Sequence, residues 1–168
     1  TGYINSHMLK NVGAHFVIIG HSENRKNGES DKLINKKIKS AIKAKLKVIF
    51  CIGESITEKR KKKTKQVLSK QIKEGLKNIR NKKNIFIAYE PLWAIGSGVI
   101  PKSKDLFDIV KFIKSKFIGK SPRVLYGGSV NPQNITNLKE INNIDGFLIG
   151  GASQNAKKFI DIVKKTFN

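Results

Sequence analysis

The sequence has little that would support a disulfide-stapled, metal-dependent or membrane-spanning protein. Among its 168 residues there is one cysteine, Cys51, so no disulfide can form within the chain. The three histidines, His7, His15 and His21, have no metal-ligand spacing to one another or to Cys51, and no metal site is expected. No apolar run approaches the roughly 20 residues needed to cross a bilayer, and no signal-peptide pattern opens the chain. These absences predict a soluble, cytoplasmic protein.

Acidic residues are also scarce, and their scarcity raises a choice between two kinds of partner. Twelve Asp and Glu stand against 34 Lys and Arg, which gives a net charge of +22. Such an excess can serve nucleic-acid binding, but the basic residues are spread over nearly every predicted helix. The densest run, residues 59–63, has no interleaved aromatic side chain on which bases could stack. We therefore interpret the charge as solvated helix faces, and a basic nucleic-acid-binding or scaffold protein is kept as the alternative.

Short apolar runs alternate with amphipathic patterns along the whole chain. The predicted strands are residues 16–20, 48–52, 85–89, 123–126 and 145–149. Apolar residues at helical spacing predict helices around residues 34–42, 67–79, 106–117 and 159–167, with a shorter one at 132–140. Asp31 and Ser103 are expected to cap two of these helices. Because the strand runs are continuously apolar, they predict a parallel sheet covered on both faces, in one α/β domain over residues 1–168.

A single carboxylate ends the third apolar run. Residues 85–88 lead to Glu90, and Pro91 then breaks the strand into a loop that holds Trp93 and two glycines. Burial raises the proton affinity of such a carboxylate, and closure of the loop would exclude water, so the pattern is typical of a general base. The alternative is a strand-end Glu that only pairs with one of the many lysines.

A histidine follows the first apolar run at the equivalent position. The run 16–20 ends immediately before His21. A neutral imidazole can donate a hydrogen bond to a carbonyl oxygen and stabilise the negative charge that develops when a base removes a neighbouring proton. A lone His is more often structural, but His21 and Glu90 at the same ends of two parallel strands favour an active site.

Glycine pairs follow the last two apolar runs. Gly127 and Gly128 come after one of these runs, and Gly150 and Gly151 come after the other. Glycines at such positions let backbone N–H groups approach a phosphate, and the loops after the last strands of β/α barrels often bind one. Each pair alone could be a tight turn, whereas two pairs in successive loops favour a phosphate site.

These motifs, taken together, resemble one family. Six segments occur in that family's order: GHSE at 20–23, GESD at 28–31, CIGE at 51–54, AYEPLWAIGSG at 88–98, YGGS at 126–129 and GFLIGGAS at 146–153. The chain resembles triosephosphate isomerase over essentially its whole length. The resemblance implies a cofactor-free isomerase of glycolysis and gluconeogenesis, a homodimer in its full-length form, that interconverts dihydroxyacetone phosphate and D-glyceraldehyde 3-phosphate through an enediolate.

The resemblance also implies roles for individual residues. Glu90 is the expected base and His21 the neutral electrophile. Gly96, Ser129, Gly150 and Gly151 match substrate-binding positions, and residues 91–101 match a closing lid. Glu23, Glu54, Trp93 and Tyr126 are the expected supporting residues, with Trp93 on the lid packed near Glu54.

The chain departs from the family in three respects. The family usually has two arginines after the His-Ser-Glu motif, and here the first is Asn24, with Arg25 kept. The far end of the lid, residues 99–102, also differs from the commonest version. A (β/α)8 barrel needs about 250 residues and eight strands, so this chain is expected to be a C-terminal part, units four to eight, of an incomplete barrel. The first βα loop, which supplies an Asn and a Lys to the family's site, has no counterpart, and the fragment alone is expected to be inactive.

Overall fold

The structure, a computed structural model, describes residues 3–167, so residues 1, 2 and 168 of the predicted domain lie outside the described part. The strands are β1 (Phe16–Ile19), β2 (Lys47–Ile52), β3 (Ile85–Tyr89), β4 (Val124–Tyr126) and β5 (Gly146–Phe147). The helices are α1 (Ser6–Asn11), α2 (Ser22–Lys26), α3 (Asp31–Lys43), α4 (Ile56–Arg60), α5 (Thr64–Gly75), α6 (Ser103–Lys114), α7 (Ile135–Lys139) and α8 (Ala156–Phe167). Two short 3-10 helices, Leu92–Ala94 and Gly151–Gln154, follow β3 and β5.

The five strands form one parallel sheet in the order β1-β2-β3-β4-β5. Within residues 3–167, β1 and β5 each pair on one side only, so the sheet is open rather than closed. The predicted strands and their parallel arrangement are confirmed, although β5 is only two residues long. Leu148 lies just beyond the end of β5, but its N–H still donates a hydrogen bond to the Tyr126 carbonyl at 2.9 Å.

The register of the sheet brings the carboxyl ends of the strands to one edge. Ile19 lies opposite Phe50, Ile52 lies opposite Tyr89, and Tyr89 lies opposite Tyr126. The residues that follow these strands, His21, Gly53, Glu90 and Gly127 among them, therefore gather at the same end. This is the edge at which the sequence predicted the site.

The middle of the sheet is buried, because the long helices cover it with their apolar faces. Phe50 and Ile87 on the central strands are fully buried, as are Ile34 and Ile38 of α3. The edge strand β1 differs, because Phe16 and Ile18 are 45% and 46% exposed. The buried centre explains the continuous apolar runs of β2 and β3.

Two predicted helix caps are wrong by one residue. Ser30, not Asp31, is the N-cap of α3, and its side chain accepts a hydrogen bond from the Leu33 N–H. Asp31 is instead the first helical residue, where its carboxylate binds Arg25. Ser103 is likewise the first residue of α6, and Lys102 holds the cap position without a side-chain bond.

Three helices were not predicted because they are too short to show a period. They are α1, α2 and α4, of six, five and five residues. The start of α4 did carry a readable signal, since Ser55 and Glu58 form a reciprocal capping box. Across residues 3–167, none of the helices combines the length and apolar character needed to cross a membrane.

Candidate active site

Glu90 lies directly after β3, and its side chain is only 3% exposed. The backbone fixes its position, because the Glu90 N–H donates to the Ile52 carbonyl at 2.7 Å. Burial raises the pKa of this carboxyl above its ordinary value, and hydrogen bonds from Cys51 and the Ser22 backbone oppose that rise. Glu90 is therefore a carboxylate with an increased proton affinity at a strand end.

His21 lies next to Glu90, with its Nε2 atom 3.5 Å from the Glu90 Oε1 atom. Its ring also caps α2, because Nδ1 accepts a hydrogen bond from the Glu23 N–H at 3.4 Å. An Nδ1 atom that accepts a bond does not carry the proton, so the neutral ring presents an Nε2–H donor toward Glu90. The ring is 32% exposed and remains accessible from the pocket.

A pocket of about 490 Å³ opens above these two residues. All six residues expected to be catalytic or to bind substrate line it: His21, Glu90, Gly96, Ser129, Gly150 and Gly151. The glycine pair Gly127 and Gly128 lines it as well. The lining also includes Ile18, Asn131 and Lys158, which the sequence analysis did not identify. The structure thus brings the two reactive groups and the four expected substrate-binding positions around one space.

The space beside Glu90 exists because two neighbouring residues are glycines. A Cβ atom at Gly127 would lie 2.8 Å from the Glu90 Cγ atom, and one at Gly53 would collide with the Glu90 carbonyl oxygen. Gly127 therefore leaves room for the Glu90 side chain, and Gly53 leaves room for the Glu90 backbone. Gly127 was noted only as part of a glycine pair and Gly53 only as part of a motif, so their contact with Glu90 was missed.

The loop after Glu90 is tied to Ser129. The Ser129 Oγ atom donates to the Ala94 carbonyl at 2.7 Å and accepts from the Gly98 N–H at 3.0 Å. Gly96 and Gly98 adopt positive φ angles of 65° and 75°, which other residues adopt only with strain. Ser129 therefore holds both arms of this loop over the pocket, in addition to lining the pocket itself.

A second buried carboxylate supports the start of the same loop. Glu54 is 1% exposed, and its Oε1 atom accepts a hydrogen bond from the Trp93 Nε1–H at 2.9 Å. The Tyr89 hydroxyl donates to the same carboxylate, 3.1 Å from its Oε2 atom. Burial raises the pKa of Glu54, and the hydrogen bond from Trp93 is the largest opposing influence. Lys59 covers the outer face of the Trp93 ring, with Nζ 3.2 Å from the ring centroid. The expected packing of Trp93 against Glu54 is present.

None of the four expected supporting residues is part of the pocket lining; Glu54 and Trp93 support the loop, and Glu23 and Tyr126 lie elsewhere around the site. The Glu23 side chain is 82% exposed, and its carboxylate is 4.0 Å from His21 Nδ1, so only its backbone N–H contacts the ring closely. Tyr126 is buried beneath the turn at Gly128, and its hydroxyl has no hydrogen-bond partner within residues 3–167. Burial raises the pKa of that hydroxyl.

Arg25 connects three backbone segments near the site. The sequence analysis noted it only as the arginine that this chain keeps. Its guanidinium donates to the carbonyls of Gly20 at 2.8 Å and Cys51 at 3.3 Å, and to Asp31 at 2.7 Å. These bonds join the ends of β1 and β2 to the start of α3. They fix the backbone from which His21 projects.

An open series of parallel β/α units, with its polar pocket at the carboxyl ends of the strands, has the architecture of part of a (β/α)8 barrel enzyme. A crystal structure of triosephosphate isomerase from Bartonella henselae superposes with a TM-score of 0.90 at 38% identity, over 100% of this chain and 70% of that one. The family model for triosephosphate isomerase matches residues 1–166. The chain belongs to the triosephosphate isomerase family.

Curated relatives agree with that assignment. The triosephosphate isomerase of Thermodesulfovibrio yellowstonii is 45% identical over 171 residues, which cover 98% of this chain and 70% of the relative. The triosephosphate isomerase of Mycoplasmopsis pulmonis is 46% identical over 169 residues, which cover all of this chain and 66% of the relative. The predicted family and the predicted incomplete barrel are confirmed, and the chain spans about 70% of the length of the first of these relatives.

Proposed function

We propose that the protein carrying this chain interconverts dihydroxyacetone phosphate and D-glyceraldehyde 3-phosphate, with Glu90 as the base. The observation that carries the proposal is the placement of Glu90. Its carboxylate is almost fully buried, lines the pocket, and lies 3.5 Å from a histidine nitrogen. A buried base beside a hydrogen-bond donor is what proton removal next to a carbonyl requires.

The proton transfer needs only these two groups. The Glu90 carboxylate takes a proton from the carbon next to the substrate carbonyl, and the electron pair of that C–H bond moves toward the carbonyl oxygen to form an enediolate. The His21 Nε2–H donates a hydrogen bond to the oxygen on which negative charge develops. Glu90 then returns the proton to the neighbouring carbon, while His21 Nε2 gives its proton to the charged oxygen and takes the proton of the adjacent hydroxyl, which becomes the new carbonyl oxygen. Both residues end unchanged, and atoms and charge balance.

The raised pKa of Glu90 serves both directions of this transfer. An ordinary carboxylate is too weak a base for a carbon acid, and burial increases its proton affinity. The loop held by Ser129 covers the same space and would exclude water while the enediolate exists. Exclusion of water also protects an intermediate that can otherwise lose its phosphate.

The glycine loops provide the end of the pocket at which a phosphate would bind. Gly150 and Gly151 are open toward the pocket, because a Cβ atom built on either would meet no other atom within 4 Å. Backbone N–H groups of these residues and of Gly96 are the proposed donors to the phosphate oxygens, together with Ser129.

Membership of the triosephosphate isomerase family also supports a place and an assembly for the protein. We propose that it acts in glycolysis and gluconeogenesis in the cytoplasm, with a homodimer as the full-length form.

The proposal is tested by assaying isomerase turnover in both directions on the full gene product that includes this chain. Glu90→Gln should abolish turnover while substrate binding is retained. Glu140→Gln, which removes an exposed carboxylate outside the pocket lining, is the matched control and should behave as wild type. Wild-type turnover in the Glu90→Gln variant would reject the proposal.

Residues 1–168 on their own are proposed to be inactive as a monomer. Within the described part, β1 and β5 have unpaired edges, and apolar side chains such as Phe16 and Ile18 are about half exposed. Sedimentation and turnover measured on the purified 168-residue chain should show association and isomerase activity many orders below that of a complete barrel. A compact monomer with ordinary turnover would contradict this expectation.

A further inference from the structure

We propose that Lys59 holds the lid, residues 91–101, closed over the pocket by covering the ring of Trp93. The inference rests on the proposed function, because that function needs the lid to exclude water from the enediolate. Lys59 is a positioning residue, since it is not part of the pocket lining and acts on the reaction only through Trp93. The sequence analysis interpreted this lysine only as part of a solvated basic run.

The contact between Lys59 and Trp93 is the closest of its kind within residues 3–167. Lys59 Nζ is 3.2 Å from the Trp93 ring centroid, whereas the other Lys and Arg side chains over aromatic rings are 4.3 to 5.9 Å from theirs. Indole offers a cation the most favourable face of any side chain. Among the ion pairs within 4.0 Å in the described part, none involves Lys59. The contact of its ammonium group is therefore with the ring rather than with a carboxylate.

The segment of residues 54–59 meets the start of the lid at three points. The Glu54 carbonyl accepts a hydrogen bond from the Leu92 N–H at 3.0 Å. The Glu54 carboxylate accepts a second bond from the Trp93 Nε1–H at 2.9 Å, which fixes the edge of the ring. Lys59 provides the third contact, on the face of the same ring. The edge and the face of Trp93 are thus both held by one segment.

A short helix sets the position of Lys59. The helix α4 begins directly after Ser55, and the side chains of Ser55 and Glu58 form a reciprocal capping box. The Lys59 N–H donates to the Ser55 carbonyl at 3.0 Å, so Lys59 closes the first turn of this helix. Since Ser55 is adjacent to Glu54, the turn that positions Lys59 starts at the residue that binds the indole.

The rest of the lid depends on the position of Trp93. The Trp93 carbonyl accepts a hydrogen bond from the Ser97 Oγ atom at 3.0 Å. The next residue, Ala94, is bound through its carbonyl to the Ser129 Oγ atom, which also binds the Gly98 N–H. A displacement of Trp93 therefore disturbs the bonds that keep the loop over the pocket. Loss of the ammonium group from the ring should lower the population of the closed lid.

An open lid has a chemical consequence that can be measured. The electron pair of a solvent-exposed enediolate can expel the phosphate by breaking its C–O bond. Phosphate leaves with the electrons of that bond, and the remaining enol tautomerises to methylglyoxal. Because elimination needs the open lid and isomerisation the closed one, the ratio of phosphate released to product formed follows the ratio of open to closed lid.

Three variants of the full gene product test the role of the ammonium group. Lys59→Gln should raise the ratio of phosphate released to aldehyde formed by about two- to fivefold, which is the effect expected for loss of an exposed cation–ring contact. Lys59→Arg keeps a cation over the ring and should restore the wild-type ratio. Lys116→Gln is the matched control, because Lys116 Nζ lies 4.3 Å from the Phe112 ring centroid, away from the lid, and its loss should leave the ratio unchanged.

Quenching of Trp93 fluorescence by acrylamide tests the contact without any reaction. Trp93 is the single tryptophan of this chain, and Trp93→Phe supplies the background from any other tryptophan in the full gene product. Quenching should increase in Lys59→Gln and stay as in wild type in Lys116→Gln.

The two readouts separate this inference from the proposed reaction. Increased quenching in Lys59→Gln, with no isomerase turnover in wild type, would reject the reaction but support the contact. Equal quenching in Lys59→Gln and Lys116→Gln would overturn the inference whatever the turnover. Increased quenching with an unchanged phosphate ratio in an active enzyme would also overturn it, because Lys59 would then hold the ring without holding the lid.

Discussion

Glu54 and Glu90 occupy matching places in the fold and differ in what their carboxylates can do. Each follows a central strand, each is at most 2% exposed, and burial raises the pKa of both. The oxygens of Glu54 accept hydrogen bonds from Tyr89 and Trp93, whereas the carboxylate of Glu90 faces His21 and the pocket. Glu54 also borders a smaller cavity of about 260 Å³, so a neighbouring space is not enough. A buried carboxylate becomes a candidate base when its oxygens face such a space and are not occupied by neighbouring donors.

The largest expected effect comes from shortening each carboxylate by one methylene. Glu90→Asp should lower kcat on the order of a thousandfold with KM nearly unchanged, because the base is withdrawn from the carbon-bound proton. Glu54→Asp, the matched change, should alter kcat far less, since its carboxylate contacts no substrate. Steady-state kinetics on both variants tests whether Glu90 and Glu54 differ in catalytic role. Equal losses of kcat would show that they do not.

His21→Gln should have the next largest effect. Gln can donate a hydrogen bond, but it cannot keep the ring's contact with the Glu23 N–H, so its donor is less well aligned and kcat should fall roughly a hundredfold. Nitrogen NMR of the wild-type protein provides an independent check. A His21 ring that carries both protons near neutral pH would contradict its role as a neutral donor.

Gly127→Ala should disturb Glu90 without touching Glu54. The added methyl would lie 2.8 Å from the Glu90 Cγ atom, so the carboxylate must shift, and kcat should fall about tenfold. Trp93→Phe is the corresponding disturbance of Glu54, because it removes the indole donor and keeps a ring beneath Lys59. A smaller kcat loss in Trp93→Phe than in Gly127→Ala, measured under the same conditions, supports the contrast, and the reverse order opposes it.

Glu54→Gln should have the smallest effect on catalysis and a distinct effect on stability. The amide oxygen still accepts from Trp93, so kcat should fall less than about fivefold. Burial raises the pKa of Glu54, so the folded protein binds its proton more tightly than the unfolded chain does. The stability gained from the protonated carboxyl is present below the ordinary pKa of 4.5 and is lost as pH rises through the higher folded pKa.

The Glu54→Gln variant has no carboxyl that ionises at this position, so it does not lose this stability as pH rises. Free energies of unfolding from denaturant titrations should therefore shift in favour of Glu54→Gln, relative to wild type, as pH is raised from about 4.5 to about 8. A difference that is independent of pH would mean that burial does not raise the pKa of this carboxyl.

Most of the fold could be predicted because its signals are local. Buried parallel strands read as continuous apolar runs, and the predicted bounds of β1 to β4 agree with the structure to within one residue at either end. The meeting of His21 with Glu90 could also be predicted, since the carboxyl ends of parallel strands share one edge. The short helices α1, α2 and α4 could not, because five or six residues contain too little of a helical period.

The parts of the site that could not be predicted depend on neighbours distant in sequence. Glu90 follows β3, which lies between the strands that precede Gly53 and Gly127. Only glycines at those two positions leave room for Glu90, and no local sequence pattern indicates these contacts. Lys158 belongs by pattern to the polar face of α8, one lysine among many. Only the packing of the first turn of α8 beside the Gly150-Gly151 loop places it on the pocket.

The most direct test of the account follows the proton that Glu90 is proposed to move. Dihydroxyacetone phosphate is incubated in D2O with the full gene product, and NMR then measures deuterium at the carbon next to the carbonyl in the aldehyde product. The proton held by Glu90 exchanges with solvent deuterons in part of the turnovers before a proton is returned to carbon. We therefore predict deuterium incorporation in wild type and in Glu54→Gln, and none above the uncatalysed level in Glu90→Gln. Incorporation at the wild-type rate in Glu90→Gln would show that another group is the base and would contradict the account.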